Sequence, residues 1–438
     1  MRHAVDLLVE ARWIIPVEPT NTVLEHHAIA VTGGKITAIL PASEALERFS
    51  AAQHLHLGNH ALMPGLINLH AHAAMNLMRG LADDLPLMDW LTKHIWPAEA
   101  RHMSDAFVNA GTLLASAEML KGGITCFNDM YFFADAAIAA VQRTGQRMMA
   151  GIAVLEFPTP WAPDASTYLD KGLAIRDAIG DDPLIGFCLA PHAPYTVSNA
   201  TFERVLTLSE QLQLPIHVHL HETADEITGS LREHGVRPLA RLQRLGMLSP
   251  NLIGVHAAHL LPDEIQQLAH HGCHIAHCPH SNLKLASGIA PLAELFRAGV
   301  NVGLGTDGAA SNNRLDLWAE MRTAALLAKG SSGDATIINA HQALAMLTIN
   351  GARALGREDE IGSLSVGKWA DMVAIDLDQP ELMPIHDVVS HLAYVAGREH
   401  VSHVFVGGDL LVNKGKLTRI DDTELRQLAG SWQNRLRH

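Results

Sequence analysis

Leu62-Met63-Pro64-Gly65-Leu66-Ile67-Asn68-Leu69-His70-Ala71-His72 passes from an almost unbroken apolar run into two histidines. A strand covered on both faces must be apolar throughout, so residues 62–70 read as a buried strand whose polar pair marks its end. Seven further runs share this character, at 123–129, 147–154, 184–192, 215–219, 252–256, 274–279 and 300–307. The stretches between them carry helix punctuation. Ser104 precedes an apolar-periodic segment that Gly122-Gly123 closes, and Ser198 opens another. Strands alternating with helices imply a parallel sheet, and eight such units predict an α/β fold with a closed (β/α)8 barrel of the TIM type. An open doubly wound sheet is the alternative, because periodicity alone does not show closure.

Outside this core both ends read as β-structure. Ala28-Ile29-Ala30-Val31-Thr32 and Lys35-Ile36-Thr37-Ala38-Ile39 flank Gly33-Gly34, and paired glycines supply the positive φ of a tight hairpin. Near the other end Val404-Phe405-Val406 and Leu410-Leu411-Val412 flank Gly407-Gly408-Asp409, and residues 371–376 form another short strand. Neither piece is long enough to bury a core alone. They are therefore expected to join as one small β-sandwich domain, built from residues 1–61 and from residues 365–438 with a terminal helix, around a barrel at 62–364.

The chain has 438 residues, 48% hydrophobic and 18% charged, which supports a large core and excludes a disordered polymer. The net charge of −14, without a basic cluster, argues against nucleic-acid partners and anionic membrane surfaces. No apolar run approaches the roughly 18 residues needed to cross a bilayer. Met1-Arg2-His3-Ala4-Val5-Asp6 shows no secretory h-region, and Cys126, Cys188, Cys273 and Cys278 form no CxxC pair. The expectation is a cytoplasmic location.

The 28 histidines are not scattered evenly. His70 and His72 end the first run, His192 the fourth, His219 and Glu222 the fifth, His256 the sixth and Asp307 the eighth. In a barrel, catalytic residues gather at the C-terminal ends of several strands. Residues i and i+2 of an extended segment face the same way, so His70 and His72 can chelate one ion. His219 adds a third nitrogen and Asp307 an oxygen, a donor set that suits zinc and also ferrous iron or manganese. Taken singly, each feature has a commoner explanation: an HxH by chance, or a turn aspartate in Gly305-Thr306-Asp307-Gly308. Their joint placement at strand ends is what points to a metal.

Other motifs carry less. His221-Glu222-Thr223-Ala224-Asp225 lacks the second histidine of HExxH. Cys273-His274-Ile275-Ala276-His277-Cys278-Pro279-His280 has irregular spacing and reads as a buried strand, not a zinc knuckle. The H-x-E and P-C-x-x-C signature of small zinc deaminases is absent.

Pro64-Gly65-Leu66-Ile67-Asn68-Leu69-His70-Ala71-His72, His219-x-x-Glu222, His256 and Thr306-Asp307 together resemble the amidohydrolase superfamily. Within it the chain looks like the branch of 5-methylthioadenosine/S-adenosylhomocysteine deaminases, with triazine hydrolases and guanine deaminases as relatives. The likeness spans nearly the whole chain. It implies one divalent metal ion, with zinc ahead of iron or manganese, held by His70, His72, His219 and Asp307, and His256 beside the activated water. Superfamily members with two ions bridge them by a carboxylated lysine on a middle strand; residues 123–129 and 184–191 contain no lysine, which favours one ion.

Substrate contacts carry over residue by residue. Residues 75–84, Trp90 and Trp96-Pro97-Ala98-Glu99 resemble the adenosine-deaminating branch, which implies that Glu99 binds ribose hydroxyls and that Trp90 lines the nucleoside pocket. His192, in Pro191-His192-Ala193-Pro194-Tyr195, matches a substrate-contacting histidine, and Ser311 is a further candidate. Some relatives end their third strand with an arginine that pairs with the homocysteine carboxylate. Here Gly151-Ile152-Ala153-Val154-Leu155-Glu156 has none before Arg176, so an uncharged methylthio tail is the better match.

The implied reaction is hydrolytic deamination at C6 of an adenine nucleoside. Asp307 accepts the water's proton, Glu222 donates to N1 and relays a proton to the amine, and His256 orients the nucleophile. Alternatives keep the site but act on a triazine, guanine or cytosine, or on a cyclic amide, against which the missing lysine counts. A non-catalytic barrel scaffold is a remote alternative, since all four ligands and Glu222 are kept. The partner expected is a small nucleoside, and a homo-oligomer stays open.

Overall fold

The computed structural model describes residues 2–437. The chain opens with β1 (His3–Ile14), β2 (Leu24–Thr32), β3 (Lys35–Pro41) and β4 (Phe49–Pro64). Eight strands follow: β5 (Leu66–Ala71), β6 (Ile124–Asp129), β7 (Arg147–Val154), β8 (Ile185–Pro191), β9 (Ile216–Leu220), β10 (Leu252–His256), β11 (His274–His277) and β12 (Asn301–Leu304). The last are β13 (Met372–Asp376), β14 (Val401–Val406), β15 (Asp409–Asn413) and β16 (Lys416–Leu417).

Strands β5 to β12 lie side by side in sequence order, all parallel. What closes them is local to the first and last strand ends. The Thr306 and Asp307 amides both donate to the His70 carbonyl, at 3.1 and 3.0 Å. Asn68 adds a side-chain clasp, accepting from Thr306 N at 2.9 Å and donating to Thr306 Oγ1 at 2.7 Å. The approach requires glycine at 305, where a Cβ would lie 2.8 Å from the His70 Cβ. The sheet is thus a near-closed barrel, and the open alternative fails. Ser104 and Ser198 cap helices Asp105–Lys121 and Asn199–Leu212 by accepting from Phe107 N and Thr201 N, as their positions predict.

The two chain ends build one continuous sheet in the order β16-β15-β14-β13-β4-β1-β2-β3. It folds over on itself. Leu7, Val9, Ile29 and Val31 share a buried cluster with Met372 and Phe405, and Ile36 N bonds Lys368 O at 2.9 Å, so the sandwich is made of a single sheet. One strand boundary differs from expectation. Residues 62–64, read above as the start of the first barrel strand, end β4 instead, with Leu62 opposite Ala374 and Met63 opposite Val373. An apolar run does not reveal which of two sheets it joins. The chain changes sheet at Gly65, where a Cβ would meet the Thr125 side chain at 2.1 Å.

The joint between the sheets holds a buried ion pair. Arg147, at the start of β7, reaches Asp371 with Nε at 2.9 Å and Nη2 at 3.0 Å, and the Gly407 amide donates to the same carboxylate at 2.7 Å. The last helix, Asp422–Leu436, lies on helix Asp105–Lys121 through Trp432 edge-on to Phe107. No helix among the described residues is long and apolar enough to cross a membrane, and the four cysteines are buried and unpaired.

Candidate active site

The polar strand ends meet at one point. Ring nitrogens of His70, His72 and His219 lie within 4.8 Å of one another, as do ligand atoms of His70, His256 and Asp307. His70 Nε2 is 3.3 Å from His219 Nε2, and both His70 Nε2 and His72 Nε2 are 3.3 Å from Asp307 Oδ1. The β-strand period accounts for the first pair, since His70 and His72 straddle Ala71 at the end of β5.

The outer atoms of these groups say what belongs in the middle. His72 Nδ1 donates to the Met130 carbonyl at 2.6 Å, and His219 Nδ1 to the His192 carbonyl at 2.8 Å. A carbonyl only accepts, so Nδ1 of each ring carries a proton, and a ring bearing that one proton turns an Nε2 lone pair inward. Burial holds the His70 ring well below its ordinary pKa, at about 3, and therefore neutral. Lone pairs converging on a carboxylate oxygen repel one another unless a cation lies between them. The donor set of three imidazoles and one carboxylate fits a divalent ion such as zinc.

Asp307 is held from behind. Its Oδ2 accepts from Ser281 Oγ at 2.6 Å and Ser311 Oγ at 2.7 Å, which leaves Oδ1 facing the histidines. This bears on two expectations. Ser311 is buried, its hydroxyl donates to Asp307, and it is not among the residues lining the cavity, against its reading as a substrate contact. The second oxygen of Asp307 accepts from both serine hydroxyls, so a proton taken from water there would have to displace one of them.

Glu222 and His256 stand across from the ligands, with carboxylate and His256 Nε2 3.8 Å apart. His256 Nδ1 bonds Asn282 Oδ1 at 2.8 Å. Glu222 is buried, and burial raises its pKa while His256 pulls the other way. Its backbone is pinned by Glu226, whose two carboxylate oxygens accept from the His221 and Glu222 amides at 3.0 and 2.7 Å. Left-handed φ values at His221 (53°), His256 (71°) and Asp307 (57°) turn each strand end sharply. Such strain costs on the order of 1–3 kcal/mol per residue and clusters at functional sites.

A cavity of about 320 Å³ opens over these residues, within the range of small-ligand sites. His72, His219, Glu222, His256 and Asp307 form its base, and His192, Glu99 and Trp90 line its sides. Glu99 comes from helix Trp96–His102 and accepts from Tyr131 OH at 2.6 Å. Burial raises its carboxyl to about 7 against that hydrogen bond. The Trp90 indole N–H is buried without a protein partner. His192 has two parts to play: its carbonyl fixes His219, while its ring, held at about pKa 3 chiefly by burial, faces the cavity. No lysine or arginine is among the described lining residues; Arg176 lies on helix Ala165–Ile179 and bonds Asp177 at 3.0 Å. Within the Cys273–His280 segment, His274–His277 form β11 and Pro279 opens the helix Pro279–Lys284.

Sequence reasoning missed Ser281, Tyr131, Glu226 and His217. Only His217 had a local sign, being two residues before His219 on one strand face.

A near-closed parallel barrel whose strand ends gather three imidazoles and a carboxylate beside an acid defines the class of metal-dependent barrel hydrolases. Residues 61–411 match the family described as "Amidohydrolase family", and the chain belongs to that family. A protein of Teredinibacter turnerae named 5-methylthioadenosine/S-adenosylhomocysteine deaminase is 46% identical over 99% of this chain and 98% of its own length. One of the same name from Thermodesulfovibrio yellowstonii is 42% identical over 98% of this chain and 99% of its own. Among solved structures, an adenosine deaminase from Xanthomonas campestris with bound zinc superposes with a TM-score of 0.98 at 48% identity, covering both chains fully. A zinc-complexed atrazine chlorohydrolase from Arthrobacter aurescens shares the fold at TM-score 0.90 and 24% identity, over 98% of this chain and all of that one.

Proposed function

We propose that this protein is a metal-dependent deaminase of adenine nucleosides, with an uncharged 5′-thioether such as methylthioadenosine as its best-matched substrate. The observation that carries this reading is the pairing, in one cavity, of the Glu222 acid beside the metal ligands with Glu99 and His192 at the sides. The full-length relatives named as deaminases support it.

His70, His72, His219 and Asp307 would hold the ion. A divalent ion there would lower the pKa of water to about 7 and so supply a nucleophile at neutral pH. The chain's own residues do the rest. His256 accepts a hydrogen bond from the attacking water and aims it at C6 of the ring. Glu222 donates its proton to N1 as the C6–O bond forms, takes up one proton of the water and passes it to the amine, and recovers the water's second proton as the C6 hydroxyl becomes a carbonyl. The C6–N bond breaks, ammonia leaves, and a 6-oxopurine nucleoside remains. Glu99 accepts from two ribose hydroxyls in its ionised form, and Trp90 offers its spare N–H to the same nucleoside.

The cavity is also lined by Leu91, Ile95, Trp96, Leu155, Phe157 and Pro160. It offers a thioether apolar contact and offers the carboxylate of S-adenosylhomocysteine no cation. The test is ammonia release from methylthioadenosine, S-adenosylhomocysteine, adenosine and guanine, side by side, after metal quantification. Methylthioadenosine is expected to give the highest kcat/KM and guanine none. Preferential release from guanine, or of chloride from a triazine, would overturn the nucleoside reading.

A further inference from the structure

His70 differs from the other imidazoles of the cluster in what stands behind it. His72 and His219 are each backed by a backbone carbonyl, which fixes their tautomer without choice. His70 Nδ1 is backed instead by His217 Nε2 at 2.9 Å, with the two rings edge to face at 4.9 Å between centroids. An imidazole can either accept or donate there. His217 is fully buried, and its Nδ1 has no partner among the described residues.

Two proton arrangements are therefore self-consistent. In one, His217 carries its proton on Nδ1, so His70 Nδ1–H donates to His217 Nε2 and His70 Nε2 turns a lone pair to the centre. In the other, His217 Nε2–H donates to His70 Nδ1, which moves the His70 proton to Nε2, 3.3 Å from Asp307 Oδ1. The first accepts a cation; the second closes the centre with an internal hydrogen bond. The two differ in where two protons sit, not in how many are bound.

We propose that His217 is a positioning residue: with its own proton on Nδ1, its Nε2 accepts from His70 Nδ1–H and so holds His70 in the cation-accepting tautomer. This rests on the metal reading above. Two substitutions separate hydrogen-bond acceptance from space filling. His217→Phe keeps a ring and loses the acceptor; His217→Gln loses the ring and keeps an acceptor near the Nε2 position. Zinc affinity is measured by chelator competition, and the visible spectrum of the cobalt-loaded protein reports the geometry of the ligands. His217→Phe is expected to bind zinc ~10–100-fold more weakly, the usual cost of losing such a partner, with altered cobalt bands. His217→Gln is expected to keep parental affinity and bands. Parental affinity in His217→Phe, or an equal loss in both variants, would overturn the proposal. Near-ultraviolet circular dichroism of the metal-free proteins checks folding; should His217→Phe not fold, the glutamine variant decides alone, parental affinity supporting the role and loss overturning it. Failure of the unsubstituted chain to bind zinc would instead overturn the metal reading itself.

Discussion

At the N-terminal end of the barrel, Arg147 and Asp371 are almost wholly buried and satisfy each other through two hydrogen bonds, with the Gly407 amide completing the carboxylate. At the C-terminal end, His70, His219 and Asp307 are equally buried, yet their polar atoms face one another. The first end is electrically complete within the chain. The second is complete only with something added. Both ends bury charge in one scaffold, so burial itself does not mark function; the direction of the unused lone pairs does.

The contrast can be broken most forcefully at Glu222. Glu222→Gln is expected to keep stoichiometric zinc while kcat falls by ~10²–10⁴, the usual worth of a positioned acid–base group. Elemental analysis beside turnover checks it, and loss of the metal would show Glu222 to be part of the ligand set. At the opposite end, Arg147→Met leaves Asp371 buried and unpaired. Denaturant unfolding is expected to show a loss of ~3–5 kcal/mol, with kcat of the folded protein unchanged. A fall in kcat without that loss would mean that the two ends are coupled. The smallest effect sharpens the contrast inside the mouth. Glu99 is raised to about 7 by burial, and it is the ionised form that accepts from two hydroxyls. KM for the nucleoside should therefore rise as pH falls through 7, and Glu99→Gln should flatten this dependence at a higher KM. A pH profile of KM unchanged by the substitution would remove Glu99 from ribose binding.

The sequence shows the barrel and its ligands because a polar residue ending a buried apolar run has few other reasons to be there. His70, His72, His219, His256 and Asp307 were legible on that ground. The groups behind them were not. Ser281 meets Asp307 across 26 positions and Tyr131 meets Glu99 across 32, contacts set by how separate strands and helices register in space. Ser311 illustrates the reverse error. Its nearness to Asp307 in sequence suggested a pocket role, whereas the turn after β12 folds its hydroxyl back onto that same carboxylate. The strand at 62–64 was misplaced because hydrophobicity measures cover and carries no information about neighbours.

The clasp between Asn68 and Thr306 has a consequence for how the molecule comes into being. Asn68 and Thr306, which seal the barrel's seam, are neighbours of the residues proposed to hold the ion, and they are 238 positions apart. A ribosome emits the chain at ~5–20 residues per second, so the nascent protein carries His70 and His72, and later His219, before Asp307 has been made. A chain cut short before the eighth strand would therefore have neither the sealed seam nor the carboxylate of the proposed ligand set.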